Sequence, residues 1–226
     1  MKVRAVLFDV GNTLLHLDYA RIAPAVSAAA GVPLTVRQLV AAAPVAARAL
    51  EETGGDDRGR ARRYLELLFG TAGVPHDRLE PVRRVLTAMH AERGLWSGVA
   101  SDTRPALERL RAAGLRLGVV SNSDGGAEEA LRAAGLRPLF EVVVDSALVG
   151  IEKPDPRIFA PALAALGLAP ADALYVGDTY AVDVVGARRA GLHAALLEPA
   201  ETGTPRRPDV WTVPSLGHLV DELLAA

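Results

Sequence analysis

The chain predicts an α/β fold, a parallel sheet wrapped by helices and interrupted once by a long helical block. Three observations predict it. Residues 5–8 are apolar and the run stops at Asp9, with Gly11 and Asn12 supplying the turn; a short apolar run bounded by a turn reads as a buried parallel strand. Residues 117–120 and 173–176 repeat the pattern, stopping at Ser121-Asn122-Ser123 and at Gly177-Asp178-Thr179. From residue 103 onward, helical patterns that close on glycine alternate with such runs, as consecutive strand–helix units do.

The elements follow in order. After the first strand, residues 16–95 show helical patterns and no convincing strand. A helix over 19–30 ends at Gly31. Thr35 and Gln38 have the spacing of a capping box and open a helix towards Glu52, with Pro44 inside it as a kink or break. Residues 54–59 read as a polar loop, 60–71 as an amphipathic helix, and Asp77 as the cap of a helix to about Glu92. Trp96 is placed as a packing residue where the block ends. Then come helix 103–113, strand 116–120, helix 124–134, strand 141–145, helix 156–166, strand 173–176, helix 180–190 and strand 192–197. Residues 202–208 read as a loop, 210–213 as an edge strand, and Ser215 as the cap of a last helix. The expected domains are therefore a discontinuous core, 1–16 with 96–226, and a helical insertion, 17–95. An insertion at the ligand edge of a sheet is well placed to act as a lid.

Composition narrows the function. The 226 residues suit one large domain with an insertion, and with 50% hydrophobic but 4% aromatic residues the core is built of Ala, Leu and Val. A net charge of −2 favours neither nucleic acid nor an acidic membrane surface. The absence of cysteine excludes disulfides and thiolate metal sites. MKVRAVLF runs straight into a strand and no apolar stretch of ~20 residues appears, so the expected location is cytoplasmic. Only two of the 25 basic residues are lysines, Lys2 and Lys153.

A parallel sheet brings the three strand ends to one edge, where ligands bind in open α/β sheets. Taken singly, Asp9, Asp178 and Asp183 are turn or capping acids, Ser121-Asn122 is a turn, and Lys153 is a surface lysine. Together they form a cluster with a chemistry. A carboxylate such as Asp9 attacks phosphorus in line, splitting one hard step into two. The phosphoryl group is an anion, so the attack needs cations: Lys153 is one, and a divalent metal on Asp9, Asp178 and Asp183, a hard oxygen set, is the other.

These motifs resemble those of the haloacid dehalogenase-like hydrolases over essentially the whole chain. Asp9-Val-Gly-Asn-Thr13 is similar to motif one, Ser121-Asn122 to motif two, Lys153 within Glu-Lys-Pro-Asp-Pro-Arg-Ile-Phe to motif three, and Gly177-Asp178-Thr-Tyr-Ala-Val-Asp183 to motif four. The resemblance implies a Rossmann-like core with a helical cap and Mg²⁺-dependent phosphate hydrolysis through an aspartyl intermediate on Asp9. It also implies the Gly11 carbonyl as a metal ligand, and Ser121, Asn122 and Lys153 as phosphate-binding groups. His16, just past the turn, is a further substrate-binding candidate. The expected partner is a small phosphorylated molecule; monomer or homodimer is left open.

One position departs from the pattern. The family's phosphatases carry a second Asp two residues after the nucleophile, as proton donor to the leaving group; here that position is Gly11. Three readings stand. The first is a phosphatase for good leaving groups, or one with His16 or Asp18 as surrogate acid. The second is a 2-haloacid dehalogenase, against which Asp178 and Asp183 count. The third is a degenerate phosphate-binding module without turnover. Phosphonoacetaldehyde hydrolysis needs a cap lysine, and none lies between Lys2 and Lys153.

Overall fold

A computed structural model describes residues 3–51, 57–198 and 207–225. The chain divides into two compact units, Met1–His16 with Val99–Ala226, and Leu17–Gly98.

The first unit is a six-stranded sheet: β1 Ala5–Phe8, β4 Arg116–Ser121, β5 Val142–Asp145, β6 Ala173–Gly177, β7 His193–Leu197 and β8 Trp211–Val213. Its order is β5-β4-β1-β6-β7-β8 and every neighbouring pair is parallel. The chain starts in the middle, builds outward to one side through β4 and β5, and returns to build the other side through β6 to β8. The order reverses at β1, so the crevice outside its carboxyl end is the switch point where such sheets bind ligands. Asp9 follows β1 there, its amide donating to the Val176 carbonyl at 2.9 Å.

Central strands have no solvated face, which is why β1 reads as an unbroken apolar run: all four of its residues are 0% exposed. Ala5 and Leu7 join Val120, Tyr175, Ile158, Phe159 and Leu163 in one cluster, covered by the helices α8 Ala160–Leu166 and α9 Val185–Arg189. Phe8 meets Phe140 edge-on at 6.2 Å. The unit's other helices are α5 Thr103–Ala112, α6 Ala127–Ala133, α7 Ser146–Val149 and α10 Leu216–Ala225.

The second unit holds α1 Tyr19–Ala30, α2 Val36–Glu51, α3 Asp57–Thr71 and α4 Leu79–Arg93, packed around Ile22, Val26, Leu39, Leu68, Phe69, Val82 and Leu86. The capping box forms: the Thr35 amide donates to Gln38 Oε1 at 2.9 Å and the Gln38 amide to Thr35 Oγ1 at 3.3 Å. Pro44 lies inside α2 without ending it.

Some expectations need correction. β2 His16–Leu17 and β3 Trp96–Gly98 form a two-stranded ribbon, so the insertion is not purely helical and residues 96–98 group with it rather than with the core. Asp77 does not cap α4: a 3₁₀ turn, His76–Arg78, precedes the helix and occupies the capping position. Residues 57–59, read as loop, already belong to α3. The remaining polar loop at 54–56, and 202–206 of the later loop, lie outside the described residues. Among the described residues no helix is long and apolar enough to cross a membrane.

Candidate active site

Four segments converge at the switch point, and each is held there by its own local chemistry. The turn after β1 closes on one carbonyl: the amides of Leu14 and Leu15 both donate to Val10 at 2.9 Å. The left-handed angle that this turn needs falls on Asn12, φ 54, and Gly11 is not among the glycines with positive φ. A side chain at position 11 is therefore compatible with the backbone. Thr13 is fully buried and its hydroxyl has no partner among the described residues.

Ser121 ends β4, and its hydroxyl donates to Asp9 Oδ1 at 2.9 Å. Asn122 faces the other way and grips the backbone of Lys153: its Oδ1 accepts from the Lys153 amide at 2.8 Å and its Nδ2 donates to the Lys153 carbonyl at 3.1 Å. This reciprocal pair fixes where the lysine's side chain starts. The Lys153 ammonium then donates to Asp9 Oδ1, Asp183 Oδ1 and the Tyr175 hydroxyl, each at 2.7 Å, with a side chain 1% exposed.

Motif four leaves β6 through Gly177. A Cβ on Gly177 would lie 2.3 Å from Asp183 Cγ, so only glycine lets that carboxylate pack against the strand end. Asp183 sits on a π-helical turn, Tyr180–Val184, and its Oδ2 accepts from the Thr179 amide at 2.9 Å. Asp178 is held more loosely, by Asn12 Nδ2 and Thr179 Oγ1, both at 3.3 Å. Asp9, Asp178 and Asp183 offer carboxylate oxygens within 4.8 Å of one another.

The charges do not balance: three carboxylates face one ammonium. Burial pushes the Asp178 carboxyl up to about 8, reinforced by the charges of Asp183 and Asp9 and only partly opposed by Asn12 and Lys153. Burial likewise lifts Asp9, against the pull of Lys153 and Ser121. Burial alone would lower Lys153, yet Asp183 and Asp9 outweigh it and hold the amine above its ordinary value. Such a set, all oxygen and net negative, fits a hard divalent cation by its donor chemistry.

The structure thus brings Asp9, Ser121, Asn122, Lys153, Asp178 and Asp183 together, with Gly11 in the adjoining turn. His16 makes none of the cluster's hydrogen bonds. It lies half-buried in β2, and burial depresses its pKa against the opposing charge of Asp102. Asp18 caps α1, accepting from the Arg21 amide at 3.1 Å. Tyr175 is the residue the sequence reading passed over. It stood in an apolar run as one more large side chain, yet a buried tyrosine hydroxyl needs a partner, and that requirement is the signal that finds it.

A family model described as haloacid dehalogenase-like hydrolase matches residues 3–191. Haloacid dehalogenase-like hydrolase domain-containing protein 3 of Mus musculus is 38% identical over 160 residues, which cover 69% of this chain and 63% of that protein. The match thus spans less than two thirds of that relative's length. Glyceraldehyde 3-phosphate phosphatase of Methanopyrus kandleri is 32% identical over 199 residues, covering 84% of this chain and 82% of its own. Among solved structures, 2-haloacid dehalogenase of Pseudomonas syringae superposes with a TM-score of 0.60 at 26% identity, covering 99% of this chain and 98% of that one.

Proposed function

The chain belongs to the haloacid dehalogenase-like hydrolases, and from that premise we propose that it is a Mg²⁺-dependent phosphatase of small phosphorylated molecules, with Asp9 as nucleophile. One observation carries the reading: at the end of the central strand three carboxylates offer oxygens within 4.8 Å of one another, and a single ammonium bonds two of them. That excess of negative charge suits a cation and an anionic phosphoryl group together.

The residues divide the work as follows. Ser121 and Lys153 both occupy Asp9 Oδ1, so Oδ2 is the oxygen directed at phosphorus. Their two hydrogen bonds favour the ionised carboxylate and aim it. Asp9 Oδ2 bonds to phosphorus as the bond to the leaving oxygen breaks; water then attacks the same phosphorus, giving inorganic phosphate and restoring the carboxylate. Asp9, Asp178 and the Gly11 carbonyl would hold Mg²⁺, with Asp183 beside them. Bound there, the ion offsets charge on the phosphoryl oxygens, an effect worth several kcal/mol in such sites.

The leaving oxygen decides the substrate class. Gly11 has no side chain to protonate it, and Asp18 is spent on capping α1. An alkoxide leaves badly without a proton, whereas a phenolate or carboxylate leaves unaided. A positioned acid is worth ~10² to 10⁴ in rate, so we place aryl and acyl phosphates ahead of alkyl phosphates.

The likeness to a dehalogenase supports a second reading, attack of Asp9 on carbon with loss of halide. Loss of halide needs no cation, however, and leaves the acids Asp178 and Asp183 without a part in the reaction. Turnover of p-nitrophenyl phosphate and of 2-chloropropionate, each with and without Mg²⁺, separates the readings. Nitrophenolate release that needs Mg²⁺ is the expected result. Halide release without Mg²⁺ overturns it in favour of dehalogenation, and neither product, with Mg²⁺-dependent phosphate binding retained, in favour of a binding module.

A further inference from the structure

Tyr175 is fully buried, and its hydroxyl has two short hydrogen bonds and a longer contact to Asp183 Oδ1 at 3.3 Å. It accepts the third N–H of Lys153 at 2.7 Å and donates to the Val120 carbonyl at 2.7 Å. An ammonium has three N–H groups, and here all three are committed: to Asp9, to Asp183 and to Tyr175. The third acceptor is the neutral one. A third carboxylate there would have set three negative charges against one positive, and an apolar group would have left a buried N–H orphaned.

We propose that Tyr175 is a positioning residue: its hydroxyl holds the Lys153 ammonium in the one orientation that engages Asp9 through Oδ1, and ties it to the strand end that carries Ser121. Val120 immediately precedes Ser121, so both groups that hold Asp9 Oδ1 are set by the same phenol. The ring alone does not need the hydroxyl. Phe159 packs edge-to-face on it at 4.9 Å in the same apolar cluster, and phenylalanine would fill that place equally well. Without the hydroxyl, that N–H loses its acceptor inside the apolar cluster, and the ammonium is no longer fixed on Asp9 Oδ1 by three partners. The inference rests on the reading of Asp9 as the reacting group.

The test uses the scarcity of lysine. Lysine labelled with ¹⁵N reports on two side chains, Lys2 and Lys153, and Lys2→Arg assigns them. In the wild type with Mg²⁺, a buried ammonium with three protein acceptors exchanges slowly with water and gives a resolved ¹H–¹⁵N cross-peak. In Tyr175→Phe that peak should shift or be lost. For p-nitrophenyl phosphate, kcat per folded molecule should fall about ten- to a hundredfold, with KM within about twofold. Leu110→Val, a truncation in the core of α5, is the control: it lowers the melting temperature but leaves the cross-peak and kcat in place. An unchanged cross-peak in a folded Tyr175→Phe, or an unchanged kcat, overturns the proposal. If Tyr175→Phe does not fold, the wild type decides, because absence of a slowly exchanging Lys153 peak overturns it and presence supports it. The spectrum needs no turnover. A failure of the Asp9 reading shows separately, as activity retained by Asp9→Asn.

Discussion

Two strands of this sheet end in a buried aspartate, and the two carboxylates do different jobs. Asp9 follows β1 at the centre; Asp145 ends β5 at the edge. Both are preceded by an apolar run, and both are almost fully buried, 9% and 2% exposed. Asp145 spends its oxygens on the backbone: Oδ1 accepts from the amides of Gly125 and Ala147 at 3.1 and 3.0 Å, and Oδ2 from Ala127 at 3.1 Å. It closes the loop after β4 and caps α7. Asp9 is held instead by side chains, Ser121 and Lys153, and lies among two further acids. The difference teaches that burial of a carboxylate says little by itself. What its oxygens accept from decides: backbone amides mark a cap, and a buried ammonium beside other anions marks chemistry.

Substitution can break or sharpen that contrast. The largest effect is expected at Asp9. Asp9→Asn should lower turnover more than about a thousandfold while circular dichroism and melting temperature stay near wild type, since Lys153 keeps Asp183 as its counter-ion. Residual activity above a few per cent would sink the covalent mechanism.

Next comes Gly11→Asp, which places an acid beside Asp9 where the backbone tolerates one. Alkyl phosphate hydrolysis should rise by ~10² to 10⁴, and aryl phosphate hydrolysis by less, because only the alkoxide lacks a proton. The measurement is kcat/KM for both substrate types in both proteins. Equal gains, or none in a folded variant, would mean that another group already serves as acid, and His16 would be substituted next.

A smaller effect, read without turnover, concerns the cation. Mg²⁺ at a hundred times its dissociation constant should stabilise the fold by about 2.7 kcal/mol and raise the melting temperature accordingly. Asp178→Asn should remove most of that rise and, by relieving the crowding of acids, leave the metal-free protein at least as stable. A thermal shift that survives Asp178→Asn places the cation elsewhere.

The smallest effect on activity is expected at Asp145. In Asp145→Asn one side of the side chain becomes a donor facing a backbone N–H, so one buried amide loses its acceptor. Stability should drop by about 1 to 3 kcal/mol in urea, with kcat/KM per folded molecule within about twofold of wild type. A large loss of kcat/KM in folded protein would erase the distinction between the two strand ends.

Much of this was legible in the residues because local rules carry it. Apolar runs of four residues mark β1, β4 and β6, since central strands have no solvated face. The Thr35–Gln38 capping box forms from residues three apart. Other features were illegible for a matching reason. Asp77 looks like a helix cap, but a 3₁₀ turn comes first, and short-range spacing does not distinguish the two. Asp145 has the local look of Asp9, and Tyr175 that of a core side chain.

The sequence by itself determined the α/β class, the alternation of strands and helices, and the set of polar groups at the strand ends, because periodicity and turn chemistry are properties of neighbouring residues. Only the tertiary structure decided which of those groups share an oxygen. Lys153 reaches Asp9 across 144 positions and Tyr175 across 22, and Ser121 reaches Asp9 across 112. Those meetings follow from the strand order β4-β1-β6, which is settled by how whole faces pack and is written in no local stretch of the chain. The division of the buried aspartates into a cap and a candidate nucleophile is settled at that level, because it depends on which donors the fold delivers to each carboxylate.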